Sequence, residues 1–278
     1  MNLVPGGHFD NIAFILCINV QLATKARTLS ERLSLDYRND FNETDVDEYL
    51  KKGRRYYIEF GDTLVCLKCL GLKQHGPIFS DFLSKSLAYR RFSGGIKKEA
   101  IARAIGVNKN FRPQVTDLTA GLGNDAFILA SLGCLVTLVE RNPVIYSLLE
   151  NGFERATDYG TFDYDIKDIV NRMMIIYMDG DNFLSTYAGL TDVIYLDPMY
   201  QKRRKSAAVR KEMQAFHSIV GMDDDAPSLL RLALKKARYR VVVKRPLRAQ
   251  YLDNHPPSYS IRGKTTRFDI FVISPSPH

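Results

Sequence analysis

The sequence predicts an α/β fold built on an open, mostly parallel sheet. From residue 115 onward, short apolar runs typical of strands alternate with segments of helical periodicity. A glycine turn at 121–123 and an Asp-Pro pair at 197–198 each follow directly on one of these runs. A smaller α+β unit is predicted over residues 1–78, and the main domain over residues 79–278.

The first unit is predicted to contain a small sheet and a helix. Ile12–Val20 is apolar and strand-like, whereas Thr24–Leu35 has helical spacing. Arg55–Phe60 and Thr63–Leu70 flank a Gly-Asp pair, which is typical of a β-hairpin. The acidic stretch Asn39–Glu48 is predicted as a loop or a helix start. No chemistry follows from these residues, and the unit is predicted to be either a structural cap or an RNA-facing platform.

The main domain is predicted to begin with helices and to continue as alternating strands and helices. The first helices are Asp81–Ala88 and Lys97–Ile105, and Arg90–Gly95 between them is either a phosphate-holding break or an ordinary turn. Predicted strands cover 115–118, 135–139, 173–178, 193–196 and 240–243, with 259–261 and 268–273 as a closing pair. Predicted helices cover 125–132, 144–156, 205–220 and 226–237.

Composition favours an anionic partner. The net charge is +8, and residues 197–248 hold six Lys and eight Arg against five acids. Four cysteines do not form a disulfide scaffold at this length, and no further Cys or His set completes a metal site, so no metal is expected. No export signal and no apolar run of roughly 18 residues is found. We therefore expect a cytoplasmic protein with no membrane partner.

The glycine turn predicts a nucleoside-cofactor site. Gly121 and Gly123 let the backbone approach a ligand closely, and a helix starting near Asp125 would direct N–H groups at a carboxylate. Glu140 ends the next strand, where a carboxylate can accept both ribose hydroxyls. After the third strand, either Asp179 or Asp181, on the two sides of Gly180, could accept the adenine amino group.

Asp197, Pro198 and Tyr200 predict a second site, for a planar amino group. The Asp197 carboxylate can accept one N–H, the Pro198 carbonyl can accept the other, and the Tyr200 ring can stack on a base. A redox dinucleotide fold would explain the glycines and Glu140 but not this group. The combination indicates methyl transfer from S-adenosylmethionine to an exocyclic nitrogen of a base.

Basic residues follow the second site along the chain. Those predicted to contact RNA phosphates are Lys202, Arg203, Arg204, Lys205, Lys244 and Arg245. Such contacts would guide an unpaired base into the pocket.

The chain resembles the bacterial family of guanine-N2 methyltransferases that modify 16S ribosomal RNA of the small subunit. The similarity extends over about residues 80–273 and rests on several matching runs. These are Asp117–Gly123, Asp125–Phe127, Ala130–Cys134, Glu140–Pro143, Tyr195–Met199, Lys211–Met213, Val241–Pro246 and Arg267–Ile270.

The resemblance implies a Rossmann-like class I methyltransferase fold and S-adenosylmethionine as the cofactor. It also implies 16S rRNA or the small ribosomal subunit as the partner. The cofactor would be bound through Asn124, Asp125, Glu140, Arg141, the Asp179-Gly180 turn and Asp197. Asn124 stands where the family usually has Arg, and Asp179-Gly180-Asp181 replaces a serine-containing turn.

Two other functions fit the same residues. An adenine-N6 or other amino methyltransferase would use the same acceptors, because these suit any exocyclic amine. An RNA-binding module that has lost transferase activity would bind RNA without responding to S-adenosylmethionine. The intact Asp197-Pro198 pair argues against the inactive module.

Overall fold

The computed structural model describes residues 9–71, 76–93, 95–187, 189–199, 219 and 223–277. These residues form two compact units. The first contains the described residues up to Ser80 and Asn142–Gly152, and the second contains Asp81–Arg141, 153–199 and 223–277. The predicted domain boundary after residue 78 stays a prediction. None of the described helices is both long enough and apolar enough to cross a membrane.

The first unit is built on a four-stranded sheet in the order β2-β1-β3-β4. Its strands are β1 (Ile12–Cys17), β2 (Asp36–Arg38), β3 (Tyr56–Phe60) and β4 (Val65–Cys69), and its helices are α1 (Ala23–Leu33) and α2 (Val46–Lys51). The predicted hairpin is confirmed, because β3 and β4 pair antiparallel and the Gly61 N–H donates to the Leu64 carbonyl. β2 lacks an apolar pattern and was not predicted, whereas α2 begins at Val46, inside the stretch Asn39–Glu48 that was predicted as a loop or a helix start.

Strand β1 forms the centre of this first unit. All six of its residues are buried, as expected for a strand covered on both faces. The ring of Phe14 packs against Phe41 and Tyr57, with ring centroids 5.4 and 5.2 Å away. Strand β1 ends at Cys17, three residues before the predicted end, because Val20 lies in a short 3₁₀ turn.

The second unit is built on a seven-stranded sheet in the order β10-β11-β9-β8-β5-β6-β7. The strands are β5 (Gln114–Asp117), β6 (Leu135–Glu140), β7 (Met173–Tyr177), β8 (Thr191–Leu196), β9 (Ala237–Pro246), β10 (Tyr259–Arg262) and β11 (Thr266–Val272). The five strands from β9 to β7 are parallel, and β11 and β10 continue the sheet antiparallel. The predicted α/β fold with a mostly parallel sheet is confirmed.

The helices that follow β4 along the chain are α3 (Lys85–Ser93), α4 (Gly95–Lys98), α5 (Ala100–Ile105), α6 (Asn124–Ser131), α7 (Pro143–Tyr159), α8 (Tyr164–Val170), α9 (Gly180–Thr186) and α10 (Ala226–Lys236). The first ten residues of α7 group with the first unit. α8 and α9 were not predicted, because each spans only about two turns.

The sequence predicts a break in the helix over Arg90–Gly95 and a helix over 205–220. The predicted start of the break at Arg90 is wrong, because α3 continues to Ser93. Most of the helix predicted over 205–220 lies outside the described residues.

An apolar layer fixes the sheet of the second unit. Leu184 of α9 and Leu230 of α10 are fully buried in one cluster with Ile194, Val241 and Val243 of the sheet. Since these contacts hold β8 and β9 from one face, the carboxyl ends of the strands are set in a fixed arrangement.

Candidate active site

The carboxyl ends of β5 and β8 meet in the middle of the seven-stranded sheet. These strands are parallel neighbours, with Asp117 opposite Tyr195. The chain runs from β5 outward to β6 and β7, then returns to β8 on the other side of β5. Such a reversal of strand order leaves a crevice at the carboxyl edge, where ligands bind in open α/β sheets.

The glycine turn lies at this edge. Gly121 and Gly123 have φ angles of +55° and +77°, in the left-handed region that favours glycine. The Gly123 N–H donates to the Ala120 carbonyl at 2.9 Å, which closes the turn. Helix α6 starts at the next residue, so its first N–H groups point toward the crevice.

Glu140 ends β6 beside the turn. Its carboxylate is buried, and Oε2 accepts the Gly121 N–H at 2.9 Å. This hydrogen bond fixes the conformation of the glycine turn and the orientation of the Glu140 carboxylate. The predicted contact of Glu140 with ribose hydroxyls stays a prediction, and the position at the end of a strand supports it.

Asp125, in the first turn of α6, lies at the centre of a charged network. Its Oδ2 accepts the Lys244 ammonium at 2.8 Å and the Tyr195 hydroxyl at 2.9 Å, while Oδ1 accepts the Arg90 guanidinium at 3.3 Å. Burial alone would raise the pKa of Asp125, but Lys244 and then Arg90 hold that pKa below its ordinary value. Asp125 is therefore an ionised anchor for two cations.

Lys244 joins this network to Asp197, just beyond the end of β8. Its Nζ donates to Asp197 Oδ2 at 2.9 Å, and the Asp197 N–H donates to Thr119 Oγ1 at 2.6 Å. Burial raises the pKa of Asp197, and Lys244 opposes that rise. Burial would lower the pKa of Lys244, but Asp197 and Asp125 raise it overall, so this ammonium stays charged.

The Asp197 carboxylate is held on one side only. Its side chain is 40% exposed, and no hydrogen bond from the described residues reaches Oδ1. Pro198, the next residue, is buried, and its ring restricts the backbone just after Asp197. Within the part of the chain that the structure describes, this carboxylate therefore keeps one oxygen available as an acceptor.

Arg141 connects the end of β6 to the start of α10. Its guanidinium binds both Asp223 and Asp225, and Asp179 lies 3.7 Å away. Asp223 also accepts the Met199 N–H at 2.6 Å, so this cluster fixes the backbone just after Pro198. The predicted contact of Arg141 with the cofactor stays a prediction.

The two acids beside Gly180 have different environments. Asp179 caps α9 by accepting the Asp181 N–H at 2.9 Å. The Oδ1 atom of Asp181 is buried and has no hydrogen-bond partner among the described residues. Burial, and then the neighbouring Asp179, raise the pKa of Asp181. A buried acceptor without a donor makes Asp181 the better candidate for an adenine amino group.

Several residues of the site were not identified from the sequence. Asp117 is buried at the end of β5 and accepts the Thr119 N–H at 3.0 Å. Its burial, followed by repulsion from Asp125, Asp197 and Glu140, raises its pKa to about 8. The signal available was its place as the last residue of a strand before the glycine turn. Arg90 and Asp223 lie far along the chain and gave no such signal.

The predicted RNA contacts are only partly described. Tyr200, Lys202, Arg203, Arg204 and Lys205 lie outside the described residues. Arg245 is buried and donates to the Gln250 carbonyl at 3.1 Å. Phosphate contacts by Lys244 and Arg245 stay predictions, and the structure gives both side chains partners within the protein.

The charge balance of the crevice fits a cationic ligand. Asp125, Glu140 and Asp197 place carboxylates around it, and the cations beside them among the described residues are Lys244 and Arg90. Asp117, with a pKa of about 8, is largely protonated near neutral pH and adds little charge. Arg90 also pairs with Glu99 at 2.9 Å. S-adenosylmethionine carries a sulfonium and an ammonium group, so this excess of acid suits it.

Comparisons with known proteins agree with this geometry. A family model described as "Putative SAM-dependent methyltransferase" matches residues 44–273, where SAM is S-adenosylmethionine. The ribosomal RNA small subunit methyltransferase J of Cellvibrio japonicus is 44% identical over 225 residues, which are 80% of this chain and 85% of that protein. The Pseudomonas aeruginosa protein of the same name is 42% identical over 258 residues, which are 92% and 93% of the two chains.

A solved structure also matches nearly the whole chain. The SAM-dependent methyltransferase NGO1261 from Neisseria gonorrhoeae is 32% identical, with a TM-score of 0.67, and the match covers 95% of this chain and 98% of that one. The fold is therefore the Rossmann-like class I methyltransferase fold. The chain belongs to the family of SAM-dependent methyltransferases.

Proposed function

We propose that this enzyme transfers a methyl group from SAM to the exocyclic N2 of a guanosine in 16S rRNA of the small ribosomal subunit. The observation that carries the proposal is the Asp197 carboxylate: Lys244 holds one of its oxygens, and none of the described residues donates a hydrogen bond to the other. The relatives named as ribosomal RNA small subunit methyltransferases support the substrate class. Such a substrate implies activity in the cytoplasm.

An exocyclic amino group is a poor nucleophile, because its lone pair is delocalised into the ring. Asp197 Oδ1 can accept one N–H, and the Pro198 carbonyl can accept the other. Holding both N–H groups directs the lone pair out of the base plane toward the methyl carbon. Tyr200 would stack on the base, which is worth about 1–3 kcal/mol.

When bound, SAM supplies an electrophilic methyl group on its sulfonium. The protein's own contribution is to position it. Glu140 would accept the ribose hydroxyls, Asp181 Oδ1 would accept the adenine amino group, and the N-terminus of α6 would face the methionine carboxylate. Asn124 and Asp125 would support that end, with Asp125 acting through Lys244 and Tyr195.

Lys244 acts as a positioning residue for Asp197. Its ammonium bridges two carboxylates that would otherwise repel each other in a buried site. The ion pair orients the Asp197 carboxylate and opposes the rise in its pKa, which favours the ionised form that accepts an N–H. Since the amino proton is lost late, Asp197 does not need to be a strong base.

The reaction is tested with methyl-labelled SAM and small ribosomal subunits from cells that lack the gene. After incubation, the rRNA is digested and the labelled nucleoside is identified. We expect label in N2-methylguanosine from the wild-type enzyme and none above background from Asp197→Ala.

Other outcomes would contradict the proposal. Label in N6-methyladenosine would show that the enzyme methylates an adenine amino group, which the same acceptors can hold. No label from subunits, free 16S rRNA or assembly intermediates, with SAM binding intact, would indicate a different substrate or an inactive RNA-binding module.

A further inference from the structure

Helix α3 presents two exposed aromatic rings close to the active site. Tyr89 and Phe92 are each 73% exposed, and they lie three residues apart, on the same face of the helix. The Arg91 guanidinium lies over the Phe92 ring, 4.3 Å from its centroid. Large exposed rings are costly in water, so two of them on one helix face indicate a contact surface.

The position of this surface follows from Arg90. Arg90 lies between Tyr89 and Arg91 in the chain and donates to Glu99 at 2.9 Å and to Asp125 at 3.3 Å. Asp125 also binds Lys244, which binds Asp197. A short chain of ion pairs therefore ties the end of α3 to the acceptor of the methyl-transfer site.

The charge around these rings suits a polyanion. Residues 85–98 contain five basic residues and no acid. Within the part of the chain that the structure describes, Arg91 forms no ion pair with an acid, so its charge is not neutralised locally. Aromatic rings interleaved with uncompensated cations are the usual means of binding single-stranded nucleic acid without strict sequence preference.

A second aromatic patch in the same unit has the opposite charge. Phe162 and Tyr164 are 88% and 83% exposed, but residues 158–165 contain three acids and no basic residue. This patch follows α7 and precedes β7, so it lies at the amino edge of the sheet, away from the crevice. Its charge would repel RNA, which makes it a matched control.

We propose that Tyr89, Phe92 and Arg91 form an RNA-stacking surface that binds unpaired bases flanking the target nucleotide. This surface, hereafter the α3 surface, rests on the proposed function for the identity of the RNA. The aromatic rings would stack on bases, and Arg91 would meet the phosphate between them.

The test compares two double variants, Tyr89→Ala with Phe92→Ala and Phe162→Ala with Tyr164→Ala. Binding of a fluorescent 12-nucleotide single-stranded RNA is measured by anisotropy, alongside SAM affinity and thermal stability. Losing one base stack corresponds to a loss of affinity of about 5- to 150-fold. Since the α3 variant removes two rings, we expect it to lose at least this much affinity, with little change for the acidic-patch variant and unchanged SAM affinity in both.

Two further measurements sharpen the test. Phe92→Tyr keeps an aromatic ring and should keep the wild-type RNA affinity. Arg91→Gln should lower the slope of log affinity against log salt concentration by about 1, which corresponds to the loss of one phosphate contact. Unchanged RNA affinity in the α3 variant, or an equal loss in both double variants, would overturn the proposal.

The result is separable from the reaction assay. Suppose that the α3 variant loses RNA binding, the acidic-patch variant does not, and the wild type makes no N2-methylguanosine. The α3 surface is then supported and the proposed substrate is refuted. If the wild type makes N2-methylguanosine but the α3 variant keeps the wild-type RNA affinity and the wild-type KM for subunits, the α3 surface is refuted and the proposed reaction stands.

Discussion

Each of the two units places a glutamate near the carboxyl end of a strand, and the two acids have different partners. In the first unit, Glu59 of β3 meets Lys68 of β4, with Nζ within 2.7 and 2.8 Å of its two oxygens. In the second, Glu140 of β6 meets a backbone N–H of the glycine turn. Glu59 thus faces a side-chain cation, whereas Glu140 receives a hydrogen bond from the backbone of the glycine turn.

The lysines differ in the same way. Lys68 faces one carboxylate, so the pair is neutral and complete. Lys244 faces two, from Asp125 and Asp197, and Asp117 and Glu140 lie at the same edge. The carboxyl end of a strand therefore becomes a ligand site when its acids outnumber its cations and a glycine turn leaves the backbone accessible.

Replacing Asp197 should have the largest effect on activity. Asp197→Ala removes the acceptor that orients the amino group, so we expect kcat to fall by about 100-fold or more. SAM affinity should stay within a few-fold of the wild-type value, because Glu140 and the turn remain. Single-turnover transfer and calorimetric SAM binding measure the two effects, and an equal loss of both would contradict the division of roles.

Replacing each lysine tests the comparison directly. Lys244→Met leaves two carboxylates facing each other, which raises the pKa of Asp197 further. Since only the ionised form of Asp197 accepts the N–H, the acid limb of the plot of kcat against pH should move to higher pH. At neutral pH, we expect kcat to fall by roughly 10-fold or more.

Lys68→Met is the matched control for Lys244→Met. It also leaves a carboxylate unpaired, so some stability should be lost. The pH profile should not move, because Glu59 belongs to the first unit. Lys244→Arg should restore most of the activity of Lys244→Met, and identical pH profiles for all variants would refute the positioning role.

The last predicted effect is on stability rather than activity, through Asp117. The native pKa of about 8 lies above the ordinary 3.8, so the native state keeps a proton that the unfolded chain has lost between those values. The stability contributed by this group therefore falls as pH rises from about 4 to about 8. In the cofactor-free protein, Asp117→Asn should lessen the fall in Tm over this window, and parallel Tm curves for the two proteins would contradict the raised pKa of Asp117.

The parts of the site that lie in one short run could be predicted from the sequence. Glycines at a strand end, Glu140 and Asp197 each follow an apolar strand, and strand ends of a parallel sheet share one edge. The sheet itself was predicted because its strands are apolar and regularly spaced. By contrast, α8 and α9 are too short for periodicity to identify them.

Contacts between distant segments could not be predicted. Arg90 and Asp125 are separated by 35 residues, and Lys244 and Asp125 by 119. No local pattern marks Lys244 as a bridge between acids, and a basic residue after a strand is equally typical of a phosphate contact. Likewise, only the packing around α9 distinguishes Asp179 from Asp181.

The most direct test of the central claim is calorimetric binding of SAM to the wild type, Glu140→Ala and Glu59→Ala. Both substitutions remove a glutamate near a strand's carboxyl end, but only Glu140 lies beside the glycine turn. A hydrogen bond to a charged group is worth about 1.5–3 kcal/mol, so we expect Glu140→Ala to bind roughly 10- to 100-fold more weakly and Glu59→Ala to bind like the wild type. Unchanged affinity in Glu140→Ala, or an equal loss in Glu59→Ala, would contradict the assignment of the cofactor site.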